Sequence, residues 1–255
     1  MSGTAAAEPR LWRILLGALG LVGFATAWQL LGWAQALGAS WPPLSTILAT
    51  LVDPGRLPLL RRAAATTLAE AARGYLAGVV VAVALGLVAV LLPGSRRGLD
   101  RLAALLNAVP VIALGPVLIS TMSRERVPVA LAALAVFFTT FVATTAGFAA
   151  AHPSHHDVFS VLGAARRRRF RLLQLPASLP LLCTGLKLGA PAAVLGAILG
   201  EWFGADKGIG PILVSSMQNY QIPLLWAAAL LAAAISMVSY GVMSMIERAA
   251  ERRFR

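Results

Sequence analysis

Acidic residues are scarce in this sequence of 255 residues, and charge of either sign is sparse. There are 10 Asp and Glu against 22 Lys and Arg, and charged residues make up 13% of the chain while hydrophobic residues make up 58%. A single soluble core could not enclose that much apolar surface without leaving large apolar patches outside. With a mean hydropathy of +0.78, the composition therefore excludes an ordinary soluble domain and indicates an integral membrane protein.

Cysteine is nearly absent. The one cysteine, Cys183, lies inside an apolar run, which excludes an intramolecular disulfide and a cysteine-based zinc site. Three histidines cluster at His152, His155 and His156, where a metal site is conceivable, but no second ligand group follows at a metal-binding spacing. We therefore favour a solvated helix start there and predict neither metal nor cofactor.

Nucleotide-binding and hydrolytic motifs are also missing. The sequence has no G-x-x-x-x-G-K-[ST] phosphate loop, and its only two lysines are Lys187, in an apolar segment, and Lys207, in a glycine-rich one. Asp206 and the serines show no pairing that suggests hydrolysis. The chain is therefore not expected to bind ATP itself or to be an enzyme.

Six apolar segments separate the charged clusters and are long enough to span a bilayer. The first could be a cleaved signal peptide, but about 20 residues is long for a signal core, so we interpret it as a retained span. Residues 57–73 are predicted to form an amphipathic helix at the interface, and residues 95–101 a short basic loop. The predicted spans are residues 14–33, 74–92, 102–122, 127–150, 179–202 and 224–246.

The net charge of +12 arises from short basic clusters between these spans. That pattern is typical of topology signals rather than of a nucleic-acid-binding face, so no nucleic-acid partner is predicted. Fourteen Lys and Arg fall on the side of the N-terminus and seven on the other, where Arg124, Arg126 and Lys207 lie. Both termini are therefore expected in the cytoplasm.

Three residues in the spans are candidates for a pathway or gate. Pro110 in the third span removes a backbone donor and predicts a kink facing protein or pathway. Lys187 either snorkels to the surface, which we favour, or pairs inside the bundle. Glu201 is either solvated at the outer interface or part of a gate, with equal weight. The glycines of the fifth span predict close helix contacts and a central place; they are Gly185, Gly189, Gly196, Gly200 and Gly204.

The longest charged interruption is residues 157–180, DVFSVLGAARRRRFRLLQLPASLP. Five arginines between Gly163 and Pro176 predict a short basic helix bounded by those two residues. On the simpler interpretation they only mark a cytoplasmic loop. The spacing favours more, since Gly163 follows Asp157 by six positions and Leu175-Pro176 ends thirteen after Gly163.

This spacing resembles the cytoplasmic loop by which ABC importer permeases dock onto their ATPase subunit. The segments LLNAVPVIALGP, GEWFGADKGIG and MQNY are similar to the nitrate, sulfonate and taurine branch of these binding-protein-dependent permeases, over about residues 60–250. The resemblance implies an all-α polytopic membrane protein with six transmembrane helices and the type I ABC importer permease fold. It places the ATPase-coupling loop at residues 151–178, with these site residues: Asp157, Gly163, Ala164, Arg166, Arg167, Leu175 and Pro176.

The resemblance also implies partners and place. We expect cytoplasmic ATPase subunits, an external solute-binding protein, a second copy of the permease and a bacterial plasma (inner) membrane. Residues 1–59 would hold a tail, the first span and an external connector, residues 60–250 the permease domain, and residues 251–255 a basic cytoplasmic tail. A small sulfonate, nitrate or similar anion is the first expectation for the solute, and a thiamine-precursor pyrimidine, riboflavin-like or aromatic acid solute is the second. An ATP-independent secondary transporter and a membrane scaffold are the alternatives from other classes.

Overall fold

A computed structural model describes the backbone of residues 10–254, with side chains described except at positions 10, 11, 13, 14, 93, 156, 251, 253 and 254. The predicted tail residues 1–9 and Arg255 lie outside the described residues. Within residues 10–254 the chain forms helices and no strand, which confirms the all-α class. The helices are α1 (Arg10–Trp33), α2 (Leu44–Val52), α3 (Leu57–Leu91), α4 (Pro93–Ala108), α5 (Gly115–Thr121), α6 (Val127–Phe148), α7 (Pro153–Val161), α8 (Arg166–Arg169), α9 (Leu175–Glu201), α10 (Ile209–Gln218) and α11 (Ile222–Phe254).

Among the described residues, five helices are long and apolar enough to cross a membrane, and a bent pair makes a sixth candidate. The bent pair is α4 with the short 3₁₀ turn Val111–Leu114 and α5, whose axes differ by 88°. Pro110 lies at the bend and Val109 before it is extended, with ψ of 123°, because a residue that precedes proline is disfavoured in the helical region. The predicted kink at Pro110 is confirmed, whereas the basic loop at 95–101 is wrong because those residues form part of α4.

The predicted interfacial helix and second span are one helix, α3, of 35 residues. The helix continues without a break through Arg73 and Gly74. Leu60, Ala63 and Thr67 are buried in the bundle rather than spread on its surface. The separate amphipathic helix at 57–73 is therefore wrong, and the boundary drawn at residue 60 falls inside the first turn of α3.

Helix α9 lies at the centre of the bundle, as its glycines predict. A methyl group at Gly196 would lie 2.7 Å from the Leu131 carbonyl oxygen of α6, and one at Gly200 would overlap Pro128. Helix α3 approaches α6 in the same way, through Gly74 and Gly78, and meets Ala132, which α9 also contacts. Because lipid gives helices no hydrophobic reason to associate, such close backbone contact supplies the packing energy.

Replacing Gly196 with valine is expected to prevent accumulation of folded protein, because the side chain would push α9 away from α6 by more than packed backbones can yield. The measurement is the amount of monodisperse protein extracted from the membrane. Gly20→Val in α1 is the matched control, since a Cβ there meets nothing within 4 Å. Equal yields of the two variants would contradict this packing.

Two helices in the second half of the chain extend past their predicted ends. The basic helix does not stop at Pro176, because residues 166–201 form one continuous helical stretch. It contains the π-helical turn Phe170–Gln174, directly before Pro176. A proline ring clashes with the carbonyl one turn earlier, and a widened turn gives it room. Helix α11 likewise continues to Phe254, so residues 251–254 of the predicted basic tail extend the last helix.

Helix α1 is attached to the bundle at one end only, and just 6% of its apolar window is buried. Trp28 packs against Trp41 and Trp226, with ring centroids 4.6 and 5.1 Å away, and its indole N–H donates to the Pro42 carbonyl. The rest of α1 exposes leucine, valine and phenylalanine side chains. This surface is suited to lipid and is typical of a retained span.

Candidate functional site

Helix α7 connects α6 to the basic segment and ends in a Schellman motif. Gly163 has φ of 61°; its N–H donates to the Ser160 carbonyl, and the Ala164 N–H donates to the Phe159 carbonyl at 2.9 Å. These two hydrogen bonds satisfy carbonyls that a helix end otherwise leaves unpaired. The motif requires a residue that adopts the left-handed region, which explains glycine at this position.

The end of α7 exposes apolar side chains. Val161 is 89% exposed and Leu162 75%, and Asp157 and Val158 are exposed on the preceding turns. We call Asp157, Val158, Val161 and Leu162 the α7 tip. Exposed apolar side chains beside arginines, which cannot lie in hydrocarbon at low cost, are suited to contact with another protein.

The first arginine of the basic run contacts another helix. The Arg166 guanidinium donates from Nη2 to the Leu91 carbonyl at 2.7 Å and to the Val90 carbonyl at 3.3 Å. These carbonyls end α3, where a cation is favoured by the helix dipole. We call this contact the arginine clasp. It lines a cavity of about 540 Å³ that Arg167, Arg169 and Phe170 also line.

Other predicted members of the loop lie along the same stretch. Phe170, in the π-helical turn, stacks on Phe148 at the end of α6, with ring centroids 5.3 Å apart. Leu175 and Pro176 begin α9 and are exposed, about three helical turns after Arg166. The structure thus brings Arg166 to α3 and leaves Asp157, Gly163, Leu175 and Pro176 on the surface of the same end of the bundle.

Glu201 ends α9 and is buried, with 1% exposure, so interfacial solvation is the wrong interpretation. Its Oε1 accepts from the Thr67 hydroxyl at 2.6 Å and its Oε2 from the Gly210 N–H at 2.6 Å. The Thr67 oxygen in turn accepts from the Ile209 N–H at 2.9 Å. A carboxylate is favoured at the start of α10, where backbone N–H groups are unpaired. We call Thr67, Glu201, Ile209 and Gly210 the carboxylate latch.

The turn that closes the latch depends on glycine. Gly208 has φ of 115°, and a Cβ added there would overlap the Glu201 carboxyl group. Glycine alone combines this backbone conformation with space for the carboxylate. The glycine-rich segment between α9 and α10 is thus built around Glu201, and the latch fastens α3, α9 and α10 together.

A second carboxyl group, from Glu70 of α3, lies beside Glu201. Glu70 is 8% exposed, and its Oε2 has no hydrogen-bond partner in the described part of the chain. It lines a cavity of about 270 Å³. Charges of both signs line this cavity: Glu70, Arg73, Arg124, Glu125, Asp206 and Lys207.

Lys187 does not snorkel; it pairs inside the bundle. Its Nζ lies 2.5 Å from Glu247 Oε2 of α11, and the side chains are only 17% and 9% exposed. The Thr184 hydroxyl donates to the other Glu247 oxygen at 2.9 Å. Our preference for snorkelling was therefore wrong, and the pairing alternative is correct.

Thr67, Glu70 and Glu247 are not among the site residues predicted from the sequence. Glu70 falls in the predicted interfacial helix and Glu247 directly after the predicted sixth span, because each lies next to an apolar run. The sequence contains one indication of the two glutamates' importance, because an acidic residue within the helical continuation of a span requires a partner. The partners, 134 and 60 residues away for Thr67 and Glu247, could not be read from spacing. His152 caps the start of α7, as the helix-start interpretation predicts.

Comparisons with known proteins agree with this architecture. The family model of the binding-protein-dependent transport system inner membrane component matches residues 74–255. The chain is 28% identical over 186 residues to the formylaminopyrimidine transport permease ThiX of Halalkalibacterium halodurans, covering 71% of this chain and 73% of that one. It is 26% identical over 180 residues to the putative aliphatic sulfonates transport permease SsuC of Bacillus subtilis, covering 70% and 65%.

Similarity extends to a riboflavin permease and to solved structures. The chain is 25% identical over 154 residues to the riboflavin transport permease RibX of Chloroflexus aurantiacus, covering 60% and 58%. A chain of the MetNI methionine ABC transporter in an inward-facing conformation matches with a TM-score of 0.66 and 16% identity, covering 78% of this chain and 99% of that one. This likeness concerns the fold. The chain belongs to the family of binding-protein-dependent transport system inner membrane components and is an ABC importer permease subunit, not an ATP-independent transporter.

Proposed function

We propose that this permease forms the pathway for a small solute that an external binding protein delivers, and that residues 151–178 dock onto cytoplasmic ATPase subunits. The observation that carries the docking assignment is the α7 tip. It presents apolar side chains outside the membrane, on a helix made rigid at its end by the Schellman motif. A rigid protrusion transmits displacement, whereas a flexible loop absorbs it.

The charge distribution supports an orientation for this arrangement. Residues 166–171 carry five arginines, and positive clusters favour the cytoplasmic side. The α7 tip and the arginine clasp would then lie inside, with both chain termini, and the carboxylate latch would lie outside. This is the orientation of a multi-pass protein of the bacterial inner membrane whose ATPase partner is cytoplasmic.

A second copy of the chain is the proposed partner in the membrane. The bent pair α4 and α5 is poorly covered, with Leu105 66% and Val117 56% exposed. Its backbone is interrupted at Pro110, and interrupted backbone at membrane depth is tolerated where protein or an aqueous cavity covers it. We propose that two bent pairs face each other and line the pathway near Pro110.

The charges of the cavity beside Glu70 bear on the class of solute. The cavity beside Glu70 has equal numbers of acidic and basic side chains, so it does not favour a simple anion as the basic residues alone suggested. We propose a small polar solute. Sulfonates and nitrate are the first to test, and pyrimidines, riboflavin-like compounds and aromatic acids are the second, since relatives named for sulfonates, formylaminopyrimidine and riboflavin all match this chain.

Two of the three candidate pathway residues are proposed to hold helices together rather than to contact the solute: Glu201 through the carboxylate latch and Lys187 through its ion pair with Glu247. Glu201 holds the outer ends of α3, α9 and α10 together and would control opening on that side. Lys187 joins α9 to α11, so that the two helices move as one. Only Pro110 is proposed to face the pathway directly.

Gly163→Val is expected to abolish ATPase docking, because a β-branched residue is strongly disfavoured in the left-handed conformation and the Schellman motif would open. Gly163→Asn is the matched control, since asparagine tolerates this conformation and a Cβ at residue 163 meets nothing within 4 Å. The measurement is copurification of an ATPase from the native host in mild detergent.

Asp157→Lys tests the same surface by charge. It should lower ATPase recovery while leaving the amount of permease in the membrane unchanged, because Asp157 is exposed. If the tagged wild-type chain recovers no ATPase, or if both Gly163→Val and Asp157→Lys recover it fully, the docking assignment is wrong.

A further inference from the structure

We propose that Arg166 is a positioning residue that ties the ATPase-docking segment to α3, and that α3 carries the displacement to the carboxylate latch. This inference rests on the proposed function and adds a route within it. Arg166 would thus hold the chain's own helix end rather than the ATPase. The observation behind it is the pair of hydrogen bonds from the guanidinium to the last carbonyls of α3.

The covalent route from the docking segment into the bundle has a weak point. It passes through the π-helical turn Phe170–Gln174 before it reaches α9, and sharp helix kinks occur preferentially at such turns. A push on α7 and α8 could therefore bend the chain at this turn instead of moving α9. The arginine clasp spans the weak point, because Arg166 precedes the turn and contacts a different helix.

Helix α3 is suited to carry the displacement. It is uninterrupted from Leu57 to Leu91, so the clasp and Thr67 of the latch are separated by 24 residues, or about 36 Å, of continuous helix. Gly74 and Gly78 pack its backbone against α6, so α3 moves with the core. One helix thus has the docking segment at one end and Glu201, through Thr67, in its other half.

The test uses the complete permease with its copurified ATPase in nanodiscs. Cys183→Ala removes the native thiol and Asp206→Cys places a new one, exposed, beside the latch. The rate of maleimide labelling is measured without nucleotide and with ATP and vanadate. Arg166→Ala is compared with Arg97→Ala, the control, because Arg97 lies outside residues 151–178, is exposed, and has no side-chain hydrogen bond or ion pair in the described part of the chain.

We expect Arg166→Ala to retain the ATPase but to reduce the ATP-dependent change in labelling about tenfold, as loss of charge-assisted hydrogen bonds implies. Arg97→Ala should match the wild type, and Arg166→Lys, which keeps one donor group, should be intermediate. If Arg166→Ala keeps the full ATP-dependent change, the clasp is overturned while docking stands. If it loses the ATPase altogether, Arg166 belongs to the docking surface and the inference is also overturned. If the wild type recovers no ATPase, the proposed function itself fails.

Discussion

Glu201→Ala is expected to lower the free energy of unfolding by about 3 kcal/mol and to abolish transport. The substitution removes two hydrogen bonds to a carboxylate, each worth roughly 1.5–3 kcal/mol, and leaves the Gly210 N–H without its acceptor. The neighbouring Glu70 carboxyl group also loses Glu201 as a side-chain hydrogen-bond partner. Because the latch joins α3, α9 and α10, its loss also releases the turn at Gly208 that closes that end of the bundle.

The measurement is thermal unfolding of the purified permease in detergent, where the expected drop in Tm is roughly 6–12 °C. Glu125→Ala is the matched control, because Glu125 lines the same cavity, is exposed, and forms no ion pair within the described residues. Glu201→Gln keeps the shape but only one acceptor oxygen, so its NH2 group must face either Thr67 or the Gly210 N–H. Its Tm should therefore fall between those of Glu201→Ala and the control. A Tm for Glu201→Ala within a degree of the control would show that the latch does not stabilise the bundle.

The sequence predicted the membrane class, the helical fold and the approximate number of spans, because each follows from local properties. Hydrophobic run length predicts a span without any knowledge of its neighbours. The bend at Pro110 and the close approach of α9 through Gly196 also follow from a single residue's chemistry. These predictions required no information on which helix lies beside which.

The helix limits and the partners of buried charges were harder to predict. Charged residues were taken to end a span, yet Glu70 and Glu247 lie within helices that continue past the apolar run. A buried helix can continue through an acidic residue when a group distant in sequence pairs with the carboxylate, as Lys187 does with Glu247. Only tertiary structure brings those groups together, so the sequence could suggest that Lys187 pairs but could not name its partner.

The partner of Arg166 in the arginine clasp could not be predicted from the sequence either, although Arg166 itself was a candidate site residue. The spacing of Asp157, Gly163 and Pro176 identified the segment, and Arg166 was included as one member of a basic run. Its contact with Val90 and Leu91, 75 residues or more away in sequence, distinguishes it from Arg168, which has the same chemistry and the same exposure class. The sequence pattern alone gives Arg166 and Arg168 the same role, whereas the contact with α3 gives Arg166 a role of its own.

Lys187→Met is expected to lower the free energy of unfolding by about 3 kcal/mol, because it leaves the Glu247 carboxylate in the bundle with the Thr184 hydroxyl as its remaining hydrogen-bond donor. The double variant Lys187→Met with Glu247→Leu should recover most of this loss, since removing both charges also removes the cost of keeping them away from water. The coupling energy from the four proteins, measured by unfolding in detergent, should therefore be about 2 kcal/mol or more.

Arg96 and Asp100 on α4 provide the control for this cycle. They form an ion pair at 3.8 Å, but their side chains are 53% and 48% exposed. The corresponding substitutions, Arg96→Met and Asp100→Leu, should therefore change the free energy of unfolding by about 0.5 kcal/mol or less. If the Lys187 and Glu247 cycle gives a coupling energy as small as that of the exposed pair, then water screens the buried pair and α9 is not fastened to α11 by charge. A large coupling energy would instead mean that the two helices are held together through Lys187, so that displacement of α9 moves α11 with it.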